Sequence, residues 1–388
     1  MWKKRMLNNL DWPFVGLIFV LLAASLVVLS SASQNIILSD PYYYVKKQAL
    51  WMVLGIVVAA ITAYFSYQTF PRWAKFAYIF MILILVGVFF VPSQSGVQRW
   101  YDLGFMDFQP SELSKIITIV AFACFLKKRQ AKMHLWSTFF LSLLFLGLPL
   151  VLIILEPDLG TGLVFIALWI GMMWVAGFPT KRMIIILLIL FLLVGLIFVD
   201  LYIGTDGFTH SLEEGDLPIP LPFSNYQIMR LIIFVNPGMD PLKSGYQIIQ
   251  SEVAIGSGGM LGKGYGQGSQ VQGNFLPTHH TDFIFAVIGE EFGLLGCFVF
   301  LGTYLLLLLR AVRIALDAKD MLGTLIVAGV ITMFAFQILV NVGMTTGIMP
   351  VTGLPLPLFT YGGTSMLVSM CALGLIINVS LRRREILF

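Results

Sequence analysis

Residues 183–199 read MIIILLILFLLVGLIFV, seventeen positions without a charge. A run of this kind cannot coat a water-facing domain, and it has nearly the length that crosses a hydrocarbon layer, about 20 residues. FVGLIFVLLAASLVVL at 14–29 is a second example. The whole chain follows suit: of 388 residues, 58% are hydrophobic and 11% charged, against roughly 25% charged in soluble domains. The fold class is therefore an all-α polytopic membrane protein. About ten transmembrane helices are predicted, over 12–32, 48–66, 74–91, 111–126, 135–155, 158–177, 183–203, 283–309, 321–344 and 356–381. The first is read as a retained span, because it is long and no A-x-A-like cleavage site follows it.

Lysine and arginine orient such a bundle. With both termini cytoplasmic, 17 of the 24 basic residues fall on inner segments. The seven others are Lys46, Lys47, Arg99, Lys115, Arg230, Lys243 and Lys263. The net charge of +4 then reflects topology and contact with anionic membrane lipids, not nucleic-acid binding. Cys124, Cys297 and Cys371 all lie within spans, which suits small buried hydrophobes and neither a disulfide nor a metal site.

Inner connections are too short to fold alone, so 1–388 is read as a single transmembrane domain. On the outer side stands a large extracytoplasmic loop, 204–282, between the seventh and eighth spans. Its first part, GTDGFTHSLEEGDLPIPLP, is acidic and broken by Pro and Gly. NYQIMRLIIFV and SGYQIIQSEVAI read as short amphipathic helices lying along the surface. GSGGMLGKGYGQGSQVQG is neither a Walker motif nor a dinucleotide fingerprint. It reads either as a flexible loop or as backbone amides brought close to a polar ligand. No internal repeat is visible, which counts against many transporter architectures.

Ionisable groups at membrane depth are costly and mark function or pairing. IITIVAFACFL, 116–126, is too short to cross. Its helix must begin in QPSELSK, near Pro110, drawing Glu112 and Lys115 into the outer leaflet three residues apart. They form either a structural ion pair or the polar wall of an outward cavity. Asp158, in EPDLGTG, is either a helix cap or a cavity acid. Arg99, beside Trp100 and Tyr101, either snorkels or binds substrate. In HHTDF, Thr281 and Asp282 suit a helix cap; His279 and His280 alone make no metal site. At least one of Glu290 and Glu291 should face the interior. Asp240, in VNPGMDPLKSGYQ, is held extended by Pro241, with Arg230, Lys243 and Lys263 in the same loop. This suits either an ordinary turn or a carboxylate base near cations.

GYQIIQSEVAIGSGGMLGKGYGQGSQ, FLPTHHTDFIFAVIGEEFGLLG, QPSELSK, EPDLGTG and GIMPVTGLPLPLFTYGGTSML together resemble the SEDS family of bacterial shape, elongation, division and sporulation proteins. The resemblance spans essentially the whole chain, and GSQVQGNFLP and MPVTGLPLPL look closer to its RodA branch than to its FtsW branch. It implies a peptidoglycan glycosyltransferase that polymerises lipid II at the outer face of the bacterial inner membrane. A class B penicillin-binding protein would crosslink the product, among other elongation-complex proteins. The family's essential aspartate falls on Asp240, its buried Glu–Lys pair on Glu112 and Lys115, and its cavity aspartate on Asp158. Arg99, Lys243, Lys263, His280 and Asp282 complete the expected substrate-binding set. Two departures, Asn236 in NPGMDP and Thr278 in PTHHTD, weaken a two-carboxylate metal site. A divalent cation, Mg or Mn, is otherwise left open. The rival readings are a lipid II flippase and a non-catalytic scaffold.

Overall fold

The structure is a computed structural model that describes residues 9–37, 39–91, 98–104, 106–204, 225–239 and 244–383. Ten long helices carry it: α1 (Trp12–Ala32), α2 (Tyr43–Tyr64), α3 (Phe70–Val88), α4 (Pro110–Arg129), α5 (Trp136–Leu155), α6 (Leu159–Val175), α7 (Thr180–Gly204), α11 (Ile284–Leu316), α12 (Met321–Thr345) and α13 (Gly363–Leu381). Between α7 and α11 lie three shorter ones, α8 (Asn225–Val235), α9 (Ser244–Gly258) and α10 (Ser269–Gln272). A hairpin of β1 (Tyr101–Asp102) and β2 (Asp107–Phe108) precedes α4.

Eight of the ten are long and apolar enough to cross a membrane by themselves. The other two are the 17-residue α6 and α4, which carries charges at both ends. Helix starts follow local chemistry. Asp11 accepts from the Phe14 amide at 3.0 Å to cap α1, Asp320 accepts from Gly323 at 3.1 Å to cap α12, and Pro110 opens α4. α12 and α13 form the centre, with 67% and 72% of their most apolar stretches buried, against 6% for α7 at the rim. The apolar side chains of α7 are left exposed, an arrangement only hydrocarbon tolerates.

Both ends of the described chain lie on one face. Ser380 Oγ donates to the Asn9 carbonyl at 3.2 Å, and Arg383 approaches Asp11 and Asp317 at 3.8 and 3.6 Å. Lys127 meets Asp320 at 2.7 Å on the same side. Termini that share a face agree with an even number of crossings.

One span boundary changes. The last span does not begin at 356: residues 351–362, carrying Pro355 and Pro357, are coil, and α13 starts at Gly363. α8 and α9 are helical, and each packs an apolar face onto protein. Ile233, Ile248 and Ala254 are buried with Phe283, Met344 and Val351 in a small second core over α11 and α12. The acidic stretch GTDGFTHSLEEGDLPIPLP lies outside the described residues from 205 onward.

The glycine-dense stretch is held against protein backbone at 259–264. α11 is broken at Gly293, whose φ of 64° and ψ of −164° are non-helical. The break strands backbone groups, and the 259–264 loop takes them up. Lys263 and Gly264 amides donate to the Glu290 and Glu291 carbonyls, each at 3.0 Å. Leu294 and Leu295 amides donate to the Gly259 and Met260 carbonyls at 2.9 and 3.1 Å. Irregular backbone at membrane depth is tolerated only when satisfied by protein in this way. Glu290 and Glu291 are both buried there. Glu290 takes Lys263 Nζ at 2.7 Å and the Gln270 and Val271 amides at 2.9 and 3.2 Å, while Ser31 Oγ donates to Glu291.

A Cβ at position 293 would sit 2.3 Å from the Gly262 nitrogen. Gly293→Ala therefore combines backbone strain with overpacking, each roughly 1–3 kcal/mol. Thermal unfolding in detergent should show a drop of several degrees or loss of folded protein, whereas Gly302→Ala, with open space around it, should be near neutral. Equal behaviour of the two variants would contradict the splice.

Candidate active site

A cavity of about 640 Å³ opens on the face opposite the termini. One wall is the hairpin and the helix it feeds. Tyr101 Oη donates to the Ile84 carbonyl at 3.0 Å, and Thr364 Oγ1 donates to the Asp107 carbonyl at 2.9 Å. Those two bonds fix the hairpin between α3 and α13. Asp102 and Asp107, directly opposite in the ladder, both line the cavity.

The chain then enters α4. Asp158, at the start of α6, accepts from the Thr161 amide at 3.1 Å, from Ser111 Oγ at 3.1 Å and from Gln109 Nε2 at 3.2 Å. It is both a cap and a cavity residue, and it pins α6 to the first turn of α4. One turn further, Lys115 Nζ meets Glu112 Oε1 at 2.6 Å. Lys115 is fully buried and does not line the cavity; Glu112, nearly buried, does. The pair thus shows its carboxylate outward and hides its cation behind.

Arg99 lines the same wall without snorkelling. Its Nε donates to the Glu156 carbonyl at 2.8 Å and its Nη2 to the Pro157 carbonyl. The Glu156 side chain is itself buried, and neither carboxylate oxygen has a hydrogen-bond partner among the described residues. Burial, helped by Asp158 and opposed by Arg99, pushes its carboxyl up to about 8.

Further lining comes from distant sequence. Asn341 Nδ2 in α12 donates to the Asp282 and Leu354 carbonyls at 3.0 and 2.9 Å, holding the start of α11 against the 351–362 coil. Thr360 Oγ1 donates to the Thr281 carbonyl at 3.3 Å. Asp282 is no helix cap: α11 begins at Ile284 behind Phe283, without a side-chain cap. Its carboxyl lines the cavity, raised to about 6 by burial and opposed by Arg230. Arg230 reaches in from α8, donating from Nη1 to the Val351 carbonyl at 3.0 Å.

Of the residues singled out from sequence, Arg99, Glu112, Asp158 and Asp282 line one cavity. Lys115 backs it. Lys263 is elsewhere, tied to Glu290 and Ser269 at 2.7 Å each, because the 259–264 splice carries it to the α11 break. His280 stands beside the cavity, its ring 4.8 Å from Tyr44; burial, with His279 adding to it, lowers its ionisation to about 4, so it is neutral. Asp240 and Lys243 lie outside the described residues, between a turn ending at Met239 and the start of α9 at Ser244. Lys47, Asp102, Asp107 and Glu156 were not singled out, and Arg230 was noted only as a loop cation. Lys47 and Arg230 did carry a signal, as two of the seven basic residues off the positive side. Among the described residues, no group of three or more His, Cys, Asp or Glu side chains is placed to hold a metal.

These features define a class: a polytopic helical membrane protein with a charged cavity on the face away from its termini. A family model described as "Cell cycle protein" (FtsW, RodA, SpoVE) matches residues 12–385, and the chain belongs to that family. It is 33% identical to "Peptidoglycan glycosyltransferase MrdB" of Escherichia coli K12, across 95% of this chain and 92% of that protein. It is 35% identical to "Stage V sporulation protein E" of Bacillus subtilis 168, across 95% and 96%. A solved chain described under "Structural coordination of polymerization and crosslinking by a peptidoglycan synthase complex" superposes with a TM-score of 0.78 at 30% identity, covering 97% of this chain and 99% of that one.

Removing one member of a buried ion pair costs about 3–5 kcal/mol, while replacing both with apolar groups is far milder. Lys115→Met alone should therefore destabilise more than Glu112→Leu with Lys115→Met, in thermal unfolding of purified protein. A double variant that is the less stable of the two would refute the pairing. For Glu156, the folded value of about 8 lies above the usual 4.5. Between those values the folded state holds a proton that the unfolded state has lost, so stability falls as pH rises from 4.5 to 8. Glu156→Gln should gain stability relative to wild type across that window and level off above it. A pH-independent difference would contradict a buried neutral acid.

Proposed function

We propose that the chain polymerises lipid II into peptidoglycan glycan strands, at the outer face of the bacterial inner membrane, with both termini cytoplasmic. The observation that carries this reading is the charged cavity at one end of an apolar bundle, in a chain of the family that includes the Escherichia coli glycosyltransferase. A lipid-linked sugar needs this combination: hydrocarbon beside the protein for its tail, and a polar hollow at the interface for its head group.

Transfer converts an α-linked sugar diphosphate into a β-1,4 bond, so a single in-line displacement at the anomeric carbon inverts it. The acceptor's 4-hydroxyl attacks, its proton passes to a base, and the C1–O bond to the lipid diphosphate breaks. Asp240 is the proposed base. The leaving group already carries its charge well and requires cations more than a proton. One carboxylate with cations suffices where glycoside hydrolysis needs two. Arg99 serves the wall by holding two carbonyls in place, and Lys115 holds the Glu112 side chain at 2.6 Å beside the cavity.

The likeness to a chain from a complex coordinating polymerisation with crosslinking supports a class B penicillin-binding protein as partner. The two motif stretches closer to the RodA branch support a role in elongation and cell shape. A divalent cation would enter with the diphosphate, and product formation with and without EDTA tests for it.

The test is a gel of glycan products made by purified protein from labelled lipid II, with and without the crosslinking partner. Wild type should give polymer in detergent, where no second compartment exists for a flippase to serve. Asp240→Asn should lower the rate by about 10²–10⁴ while keeping fold and partner binding, which a pure scaffold would not show. Polymer from that variant at the wild-type rate would remove Asp240 from the chemistry.

A further inference from the structure

The hairpin at the cavity presents more chemistry than its fold requires. Trp100, Asp102 and Asp107 line the cavity, while Tyr101 does not. Extended chain alternates in this way. Tyr101 turns aside to donate to the Ile84 carbonyl at 3.0 Å, and Arg99 is fixed by the Glu156 and Pro157 carbonyls. Trp100 therefore stands between two anchored side chains. Asp102 and Asp107 pair directly across the ladder, where like charges repel. Asp102 Oδ1 accepts from the Gly104 amide at 2.7 Å. Among the described residues, no cation pairs with either carboxylate and no group bonds the Asp107 side chain. Glu112 and Asp158, by contrast, already have partners within the protein.

Three aromatic side chains line the cavity, Trp51, Trp100 and Tyr361. Trp51 is buried and packed, since a Cβ on Gly363 would stand 2.8 Å from its Cε2. Tyr361 meets Tyr44 edge to face, with ring centroids 4.9 Å apart. Trp100 is half-buried. Among the described residues, no ring or cation stacks on it and its indole N–H has no acceptor. A tryptophan that only anchors a membrane protein sits among lipid head groups; this one lines a polar hollow.

Lys47, Arg99 and Arg230 line the same cavity, and cations suit a diphosphate. A sugar ring carries no charge for them. Its C–H bonds make an apolar face, and its hydroxyls donate around the edge. An uncovered indole beside unpaired carboxylates matches that pattern, with area from the ring and direction from the charge-assisted hydrogen bonds. We propose that Trp100, Asp102 and Asp107 form a subsite for one pyranose ring of the substrate, the indole stacked on the ring and the carboxylates accepting from its hydroxyls. The assignment rests on the polymerase reading for the identity of that sugar but not for its test.

The experiment measures binding of two probes to the purified full chain by saturation-transfer NMR, beside the glycan assay. One is diacetylchitobiose, a sugar pair without lipid or phosphate; the other is farnesyl diphosphate, which has no sugar. Wild type should bind both. Trp100→Ala should weaken disaccharide binding about fivefold or more and leave farnesyl diphosphate nearly unchanged. Trp100→Phe, the milder change for folding, should lose about twofold. Asp107→Asn should lose about threefold, and this loss should persist in EDTA. In the glycan assay the same variants should raise KM for lipid II more than they lower kcat. Undiminished disaccharide binding in Trp100→Phe and in folded Trp100→Ala overturns the subsite, as do an equal loss for both probes and a wild type that binds no disaccharide. An Asp107→Asn loss seen only with Mg present would make the hairpin a cation site and overturn it as well. A wild type that makes no glycan yet binds the disaccharide through Trp100 would sink the polymerase reading and leave this one standing.

Discussion

Lys115 is a cation with no water around it, in a helix that touches α3, α5, α6, α12 and α13. In such surroundings an unpaired charge is unaffordable, so Glu112 has to lie within reach. That requirement sets where α4 begins and how deep it sits. With Glu112 held at 2.6 Å, the first turn of α4 becomes the floor of a polar hollow. Asp158 then ties the same turn to α6 through Ser111 and Gln109. A stability constraint and a chemical one meet in a few residues: the pair that lets a short helix live in hydrocarbon also presents a carboxylate to the cavity.

A second constraint is backbone satisfaction. α11 breaks at Gly293, and the glycine-dense loop donates and accepts the hydrogen bonds that the break exposes. The cost of that irregularity is met by protein, not water. Its benefit is placement. α9 packs along α11, and α8 brings Arg230 to the cavity. The loop that carries Asp240 in sequence is thereby anchored on both sides by described, buried structure.

Much of this was legible from the residues. The ten hydrophobic stretches correspond to the ten long helices, and the shortness of IITIVAFACFL led to a start at Pro110 and a Glu112–Lys115 pair. Those inferences used only length, proline geometry and three-residue spacing, all of them local. What was not legible depends on contacts between distant segments. Arg230 reaches a carbonyl 121 positions away, and Asn341 joins segments that no periodicity connects. LPLPLF reads as apolar enough to extend a span, yet its prolines deny it helical hydrogen bonds. Glycines 258–266 look like a loop because glycine speaks of backbone freedom and not of the partner that needs it. Glu156 was not singled out, since burial of a single side chain has no signature in composition.

The central claim is that the cavity faces outward while the termini face the cytoplasm. Cysteine labelling on intact bacteria tests it most directly, with the three native cysteines replaced. Asp107→Cys, exposed on the hairpin at the cavity wall, should react with a membrane-impermeant maleimide without permeabilisation. Gln68→Cys, exposed in the connection between α2 and α3, should react only after the membrane is opened. The reverse pattern would put the cavity on the wrong side of the membrane for an outer-face polymerase.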